Sequence, residues 1–138
     1  LQNAKCILTH SGRMRGLASV KYVEQRSRFF AHLYEIDSPE DADEILKSHR
    51  RLYKKANHHC WAMRLGSEEK AKDDGEVGHP GKVLLEILKK HNLESHALVV
   101  SRVFGGVKLG VGGVSRAFKG AGEGAVQAFE VESRNFKQ

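Results

Sequence analysis

The stretch that most constrains the chain is Ala97–Lys119, ALVVSRVFGGVKLGVGGVSRAFK. It reads as an apolar strand (Ala97–Phe104), a glycine-rich loop (Gly105–Gly113) and a helix opening near Val114. Five glycines within Gly105–Gly113 allow backbone conformations closed to other residues and bring N–H groups close to a ligand. Such a loop feeding a helix N-terminus attracts negative charge through unpaired N–H groups and the helix dipole. Arg116 would lie in the first helical turn, where that dipole disfavours a cation. With Lys108 and Arg102 nearby, it points to an anionic partner, whereas a tight turn ringed by solvated cations is the plainer alternative. Two phosphate-loop motifs are excluded. Gly105 and Gly110 have the spacing of a nucleotide-hydrolase loop, but Val111 and Gly112 stand where Lys and Ser/Thr are needed. A dinucleotide fingerprint from Gly110 and Gly112 would need a third glycine where Ser115 stands.

With 138 residues the chain is expected to form one domain with its own core. No apolar run reaches transmembrane length and no secretory signal is visible, so a cytoplasmic setting with no membrane partner is expected. Cys6 and Cys60 lack metal-finger or redox spacing and read as free thiols. A net charge of +6 leans toward nucleic acid or an acidic protein surface.

In chain order, Cys6–Thr9 reads as a short strand and His10–Gly16 as a basic turn, so residues 1–17 form an extension or edge strand. Ala18–Glu24 and Arg28–Ile36 alternate like paired antiparallel strands joined by Gln25–Ser27. Ser38-Pro39-Glu40-Asp41 is a helix start, with an N-cap serine, proline at the first position and acids in the first turn. Ala42, Ile45, Leu46, His49 and Leu52 share one face of that helix, and Arg50, Arg51, Lys54 and Lys55 crowd its end. His59–Leu65 reads as a strand with His59, Trp61, Met63 and Leu65 on one face, and Gly66–Lys72 as a charged loop. A helix follows from about Pro80 to His91. In the last helix Gly120, Gly122 and Gly124 each cost about 1 kcal/mol relative to alanine, which is best explained by close packing of the helix on a neighbour. Residues 130–138 read as a frayed tail. The expected fold is α+β: a two-layer sandwich with helices on one face of a four- to five-stranded mixed sheet.

Candidate chemistry is limited. His58 and Cys60 would share one strand face, but no second ligand pair stands at zinc spacing, and no metal or cofactor is expected. Asp73, Asp74 and Glu76 fail the calcium-loop pattern and read first as a solvated acidic turn, with a magnesium-assisted anion site a lesser option. Neither Ser115 nor Cys60 sits in a nucleophile motif, and catalysis is not predicted.

Four segments, SRFFAHL (Ser27–Leu33), HHCWAMRLG (His58–Gly66), DDGE (Asp73–Glu76) and RVFGGVKLGVGGVSRAF (Arg102–Phe118), together resemble the IMPACT family in the family's own order. The resemblance implies a ribosomal protein S5 domain 2-like sandwich and a cytosolic role connected with translation. In eukaryotic relatives that role is to damp the amino-acid-starvation kinase pathway by competing for the kinase's ribosome-associated activator. Members usually continue DDGE with Pro-Ser-Gly-Thr-Ala-Gly, whereas this chain has Val77-Gly78-His79-Pro80-Gly81, without the hydroxyls. The resemblance is to the core domain, without the RWD-type N-terminal or ferredoxin-like C-terminal accessory domains. It implies an anion- or partner-binding surface at Arg102, Gly105, Gly106, Lys108, Gly110, Gly113 and Arg116, to which the glycine-loop reading adds Gly112 and Ser115. A second lobe is expected at His58, Asp73, Asp74, Glu76, Gly78 and His79.

Three readings follow. The first is a non-catalytic regulatory domain that binds a translation-associated or ribosome-associated protein. The second is an RNA- or nucleotide-phosphate-binding domain using the glycine loop and Arg50–Lys55, and the third a phosphoester-handling enzyme using Asp73, Asp74 and a metal. RNA readers stack bases on exposed sheet aromatics, so the exposure of Phe29, Phe30, Tyr34 and Trp61 separates the first two.

Overall fold

The computed structural model describes residues 5–9 and 12–136, with side chains described over 15–134. Six strands, β1 (Lys5–Thr9), β2 (Gly12–Glu24), β3 (Ser27–Glu35), β4 (His58–Leu65), β5 (Glu68–Lys72) and β6 (His96–Val103), form one sheet in the order β1-β2-β3-β6-β4-β5. Three helices complete the fold: α1 (Glu40–Leu52), α2 (Pro80–Lys90) and α3 (Gly110–Phe136). The α+β class is as expected from the sequence. The sheet, however, has six strands rather than four or five, and every pairing is antiparallel rather than mixed.

Alternation along the central strands sorts side chains onto two faces. Phe29, Ala31 and Leu33 of β3, Cys60 and Ala62 of β4, and Leu98 and Val100 of β6 pack against Leu84, Ile87 and Leu88 of α2 and Val114, Phe118 and Ala121 of α3. The neighbours one step along, Tyr34, Trp61, Met63, Ala97 and Val99, pack against Ala42 and Ile45 of α1. Helices therefore cover both faces, with α1 lying opposite α2 and α3. That departs from the one-face expectation, and the reason is that β3, β4 and β6 are apolar on both sides.

Local details follow from the residues. Ser38 does not cap α1, since its Oγ has no partner. Asp41 Oδ2 instead accepts from the N–H groups of Asp37 (2.8 Å) and Ser38 (3.1 Å). The α1 face expected to be apolar holds at Ala42, Ile45 and His49, while Leu52 is exposed. Close helix packing at the glycines is observed: a Cβ on Gly120 would lie 2.9 Å from the Tyr22 ring, and one on Gly122 would lie 2.8 Å from Ile87 Cδ1. The α3 helix continues through 130–136, where the sequence suggests fraying, and begins at Gly110 rather than near Val114. The expected basic turn over His10–Gly16 is β2 from Gly12 onward, and residues 1–4 and 10–11 lie outside the described residues.

Candidate functional site

Strands β5 and β6 both run antiparallel to β4, so they point the same way and release their following segments at one end of the sheet. The segment after β5 (Asp73–His79) meets the first turns of α3, and through Glu76 it meets Arg102 of β6. The contact is close at Gly78, where a Cβ would lie 3.0 Å from Val111 O and 3.4 Å from Ser115 Cβ. The two predicted segments thus lie at one end of the sheet, in contact at Gly78.

A buried ion pair joins the Asp73–His79 segment to β6. Arg102 Nη1 donates to Glu76 Oε2 at 2.9 Å, with the side chains 7% and 5% exposed. Arg102 Nη2 donates to Ser27 Oγ (3.3 Å), which also accepts from Gly105 N–H (3.2 Å). The guanidinium lies against the rings of Phe29 and Phe104, with its carbon 5.4 and 5.7 Å from their centroids. Arg102, predicted as a surface cation, is therefore a buried strut that ties the lobes together. Gly105 is held just as closely, because a Cβ there would fall 2.1 Å from the carbonyl carbon of Arg26.

The acids of the second lobe are held by main-chain N–H groups. Asp73 Oδ1 accepts from Gly81 N–H at 2.8 Å, in the first turn of α2, and its carbonyl accepts from Glu76 N–H (3.0 Å) and the Cys60 thiol (3.1 Å). Asp74 Oδ2 accepts from His59 N–H (2.8 Å), and Asp74 O lies 2.8 Å from His58 Nδ1. Glu76 Oε1 accepts from Val77 N–H at 3.0 Å. Burial and these acids together push the Cys60 thiol well above its ordinary pKa, so it is a poor nucleophile. Among the described residues no group of three or more His, Cys, Asp or Glu converges as a metal-binding set.

The remaining predicted residues point outward. Lys108 and Arg116 are exposed and make no ion pair or side-chain hydrogen bond with a described residue. Arg116 folds back over the first turn of α3, its Nη1 3.1 Å from where a Cβ of Gly112 would be. Gly106 and Gly110 have positive φ, at 91° and 75°, and open surroundings, and Gly113 lies against Leu109. His79, also left-handed at φ 52°, stands exposed at the start of α2.

Two features escape a reading of local motifs. Of the six large apolar side chains exposed among the described residues, four lie on these segments and the first turn of α3: Val77, Phe104, Val107 and Val111. On the α1 face lies a histidine network. His49 is fully buried, with Nε2 2.9 Å from the Tyr34 hydroxyl and Nδ1 2.8 Å from Ser101 Oγ. Ser101 Oγ is also 2.7 Å from His59 Nδ1, and His32 Nε2 lies 2.6 Å from the Tyr53 hydroxyl. Ser101 has one hydroxyl proton, so it donates to one imidazole and accepts from the other. Burial, reinforced by His32 and His59, holds the His49 pKa well below the ordinary 6.5.

The Impact N-terminal domain family model matches residues 25–126. IMPACT family member YvyE of Bacillus subtilis (strain 168) is 40% identical over 107 residues, covering 74% of this chain and 49% of that protein. The IMPACT family member in pol 5'region of Thermus thermophilus is 39% identical over 103 residues, covering 75% and 56%. The chain spans about half the length of these curated relatives. Among solved structures, a crystal structure of a hypothetical protein matches with a TM-score of 0.76 and 29% identity, covering 92% of this chain and 62% of that one. The two-domain translational regulator Yih1 matches with a TM-score of 0.52 and 26% identity, covering 82% and 46%. The matched span takes in the β2–β3 turn, the Asp73–His79 segment, the glycine loop and most of α3, and on that ground the chain belongs to the IMPACT family.

Proposed function

We propose that this chain is a non-catalytic, cytoplasmic regulatory domain that docks a protein of the translation apparatus through the cleft between Asp73–His79 and Phe104–Arg116. The observation that carries the reading is the exposed apolar set of Val77, Phe104, Val107 and Val111, flanked by the unpaired Lys108 and Arg116. Protein interfaces combine such an apolar centre with arginine-rich, solvated margins, and an exposed cluster of this kind on a small domain marks an interaction site. The likeness to the translational regulator Yih1 supports translation as the setting.

The ring test favours a protein over single-stranded RNA. Phe29, Tyr34 and Trp61 are buried, and Phe30 is stacked on Tyr53 with centroids 4.4 Å apart. The sheet thus offers no open aromatic platform from these four residues for bases. The cations Arg50, Arg51, Lys54 and Lys55 stand at the C-terminal end of α1, which covers the sheet face opposite the helices α2 and α3.

Co-sedimentation with ribosomes, before and after a high-salt wash, tests the reading. The chain is expected to pellet with unwashed ribosomes and to lose that association both after the wash and in a Lys108→Ala/Arg116→Ala variant. Equal binding to washed ribosomes and to naked ribosomal RNA would overturn it in favour of the RNA alternative.

A further inference from the structure

Helices α2 and α3 start at the same end of the sheet, and between them runs a groove of about 410 Å³. Its floor is Val83 and Ile87, its sides carry Lys82, Glu86 and Lys119, and Lys90 and Glu123 close its far end. His79 lines the groove's near end, one residue from the Gly78 that touches Val111 and Ser115. The groove therefore begins where the Asp73–His79 segment packs on α3.

The charges along this path are uneven in a way composition conceals. Asp73, Asp74 and Glu76 are engaged by main-chain N–H groups and by Arg102. Glu123 is engaged by Lys90 (2.9 Å) and His91 (2.7 Å). Lys82, Lys108, Arg116 and Lys119 have no described partner, and Glu86 is the one acid on the path in the same condition. Among the side chains on the path without a described partner, four are cationic and one is acidic, set beside apolar side chains on the segments and in the groove.

We propose that the cleft and groove together take an acidic, leucine-like segment of a partner protein, laid along α3 from the Val77/Val111 rim to Glu123. The proposal rests on the docking reading above and names its chemistry: carboxylates meet Arg116, Lys119 and Lys82, while aliphatic side chains sit on the rim and on Val83 and Ile87. From Val111 to Glu123 a helix rises about 18 Å at about 1.5 Å per residue. An extended segment of about five or six residues spans that length. Alternation of acid and aliphatic residues lets an extended chain present one kind to the floor and the other to the lysines.

A labelled peptide of alternating glutamate and leucine, followed by fluorescence anisotropy, tests this. The wild-type chain is expected to bind it about tenfold more tightly than a glutamate–serine peptide and about tenfold more tightly than the Lys82→Glu/Lys119→Glu variant does. That variant should in turn gain affinity for a lysine–leucine peptide, a rescue that a misfolded chain would not give. Equal affinity of the wild-type chain and the Lys82→Glu/Lys119→Glu variant for the glutamate–leucine peptide would overturn the proposal, as would displacement of the peptide by oligouridylate at lower concentration than by unlabelled peptide. If this variant still pellets with unwashed ribosomes and the peptide does not compete, the acidic-segment inference fails while the docking reading stands. If Lys108→Ala/Arg116→Ala leaves sedimentation untouched, the docking reading itself falls.

Discussion

Arg102 Nη1 and Glu76 Oε2 lie 2.9 Å apart, both side chains nearly sealed from water. The pair joins the segment after β5 to strand β6, and so fixes the distance between the two lobes. Removing one partner leaves the other as an uncompensated buried charge, which costs about 3–5 kcal/mol. Arg102→Met and Glu76→Gln are each expected to lower the unfolding free energy, read from urea melts, by that order. The two together should cost less than the sum, and a double-mutant cycle reads the coupling directly.

Neighbouring glycines should respond differently to alanine. At Gly105 the added methyl meets the Arg26 carbonyl at 2.1–2.2 Å, so Gly105→Ala must push the β2–β3 turn away, at an expected cost of about 1–3 kcal/mol. Gly106 has open space but φ 91°, so Gly106→Ala carries backbone strain alone, about 1 kcal/mol. Amide shifts should reach Arg26 and Ser27 in the first variant and stay within the loop in the second.

The fold should weaken in mild acid through the α1 face. The groups facing His49 are His32 and Tyr34 on β3, Tyr53 after α1, His59 on β4 and Ser101 on β6. Burial lowers the pKa of His59 as well, against the pull of Asp74. A folded-state pKa depressed below the ordinary 6.5 means the unfolded chain binds protons first. Stability therefore falls as pH drops below 6.5, until the depressed folded pKa is reached. One such histidine contributes a loss of about 1.4 kcal/mol by about pH 5.5. His49→Gln, which cannot titrate, should flatten the slope of urea midpoint against pH over that interval.

Single-stranded RNA should bind weakly, because few cations converge without an aromatic platform. Affinity no tighter than about 10⁻⁴ to 10⁻⁶ M at physiological salt is expected, with a log–log salt slope of about −0.7 per phosphate neutralised. Lys108→Ala/Arg116→Ala should reduce that slope by no more than about two phosphates' worth. Filter binding across a salt series checks both figures.

Much of this architecture was readable from the sequence. Alternation in Arg28–Ile36 and His59–Leu65 announced the central strands, and Pro39-Glu40-Asp41 announced α1. Strand β5 escaped because Glu68-Glu69-Lys70-Ala71-Lys72 carries no apolar alternation, being an edge strand whose charges discourage further pairing. The start of α3 was misplaced because Gly110, Gly112 and Gly113 in its first turn are poor helix formers. The two lobes of the site were legible as segments but not as chemistry. Nothing local distinguishes Arg102 as a buried strut from Lys108 and Arg116 as free cations, since its partners come from distant segments. The histidine network was invisible for the same reason, as its members lie on β3, α1, β4 and β6.

The central claim is that one end of the sheet, and not its α1 face, meets a translation protein. Hydrogen–deuterium exchange of the chain bound to unwashed ribosomes tests this most directly, because it reports where the contact lies. Protection is predicted for peptides covering Val77–His79 and Phe104–Val111, with the segments containing Phe30 and Arg50–Lys55 unchanged. Protection confined to those last two segments, with the cleft still exchanging freely, would contradict the account.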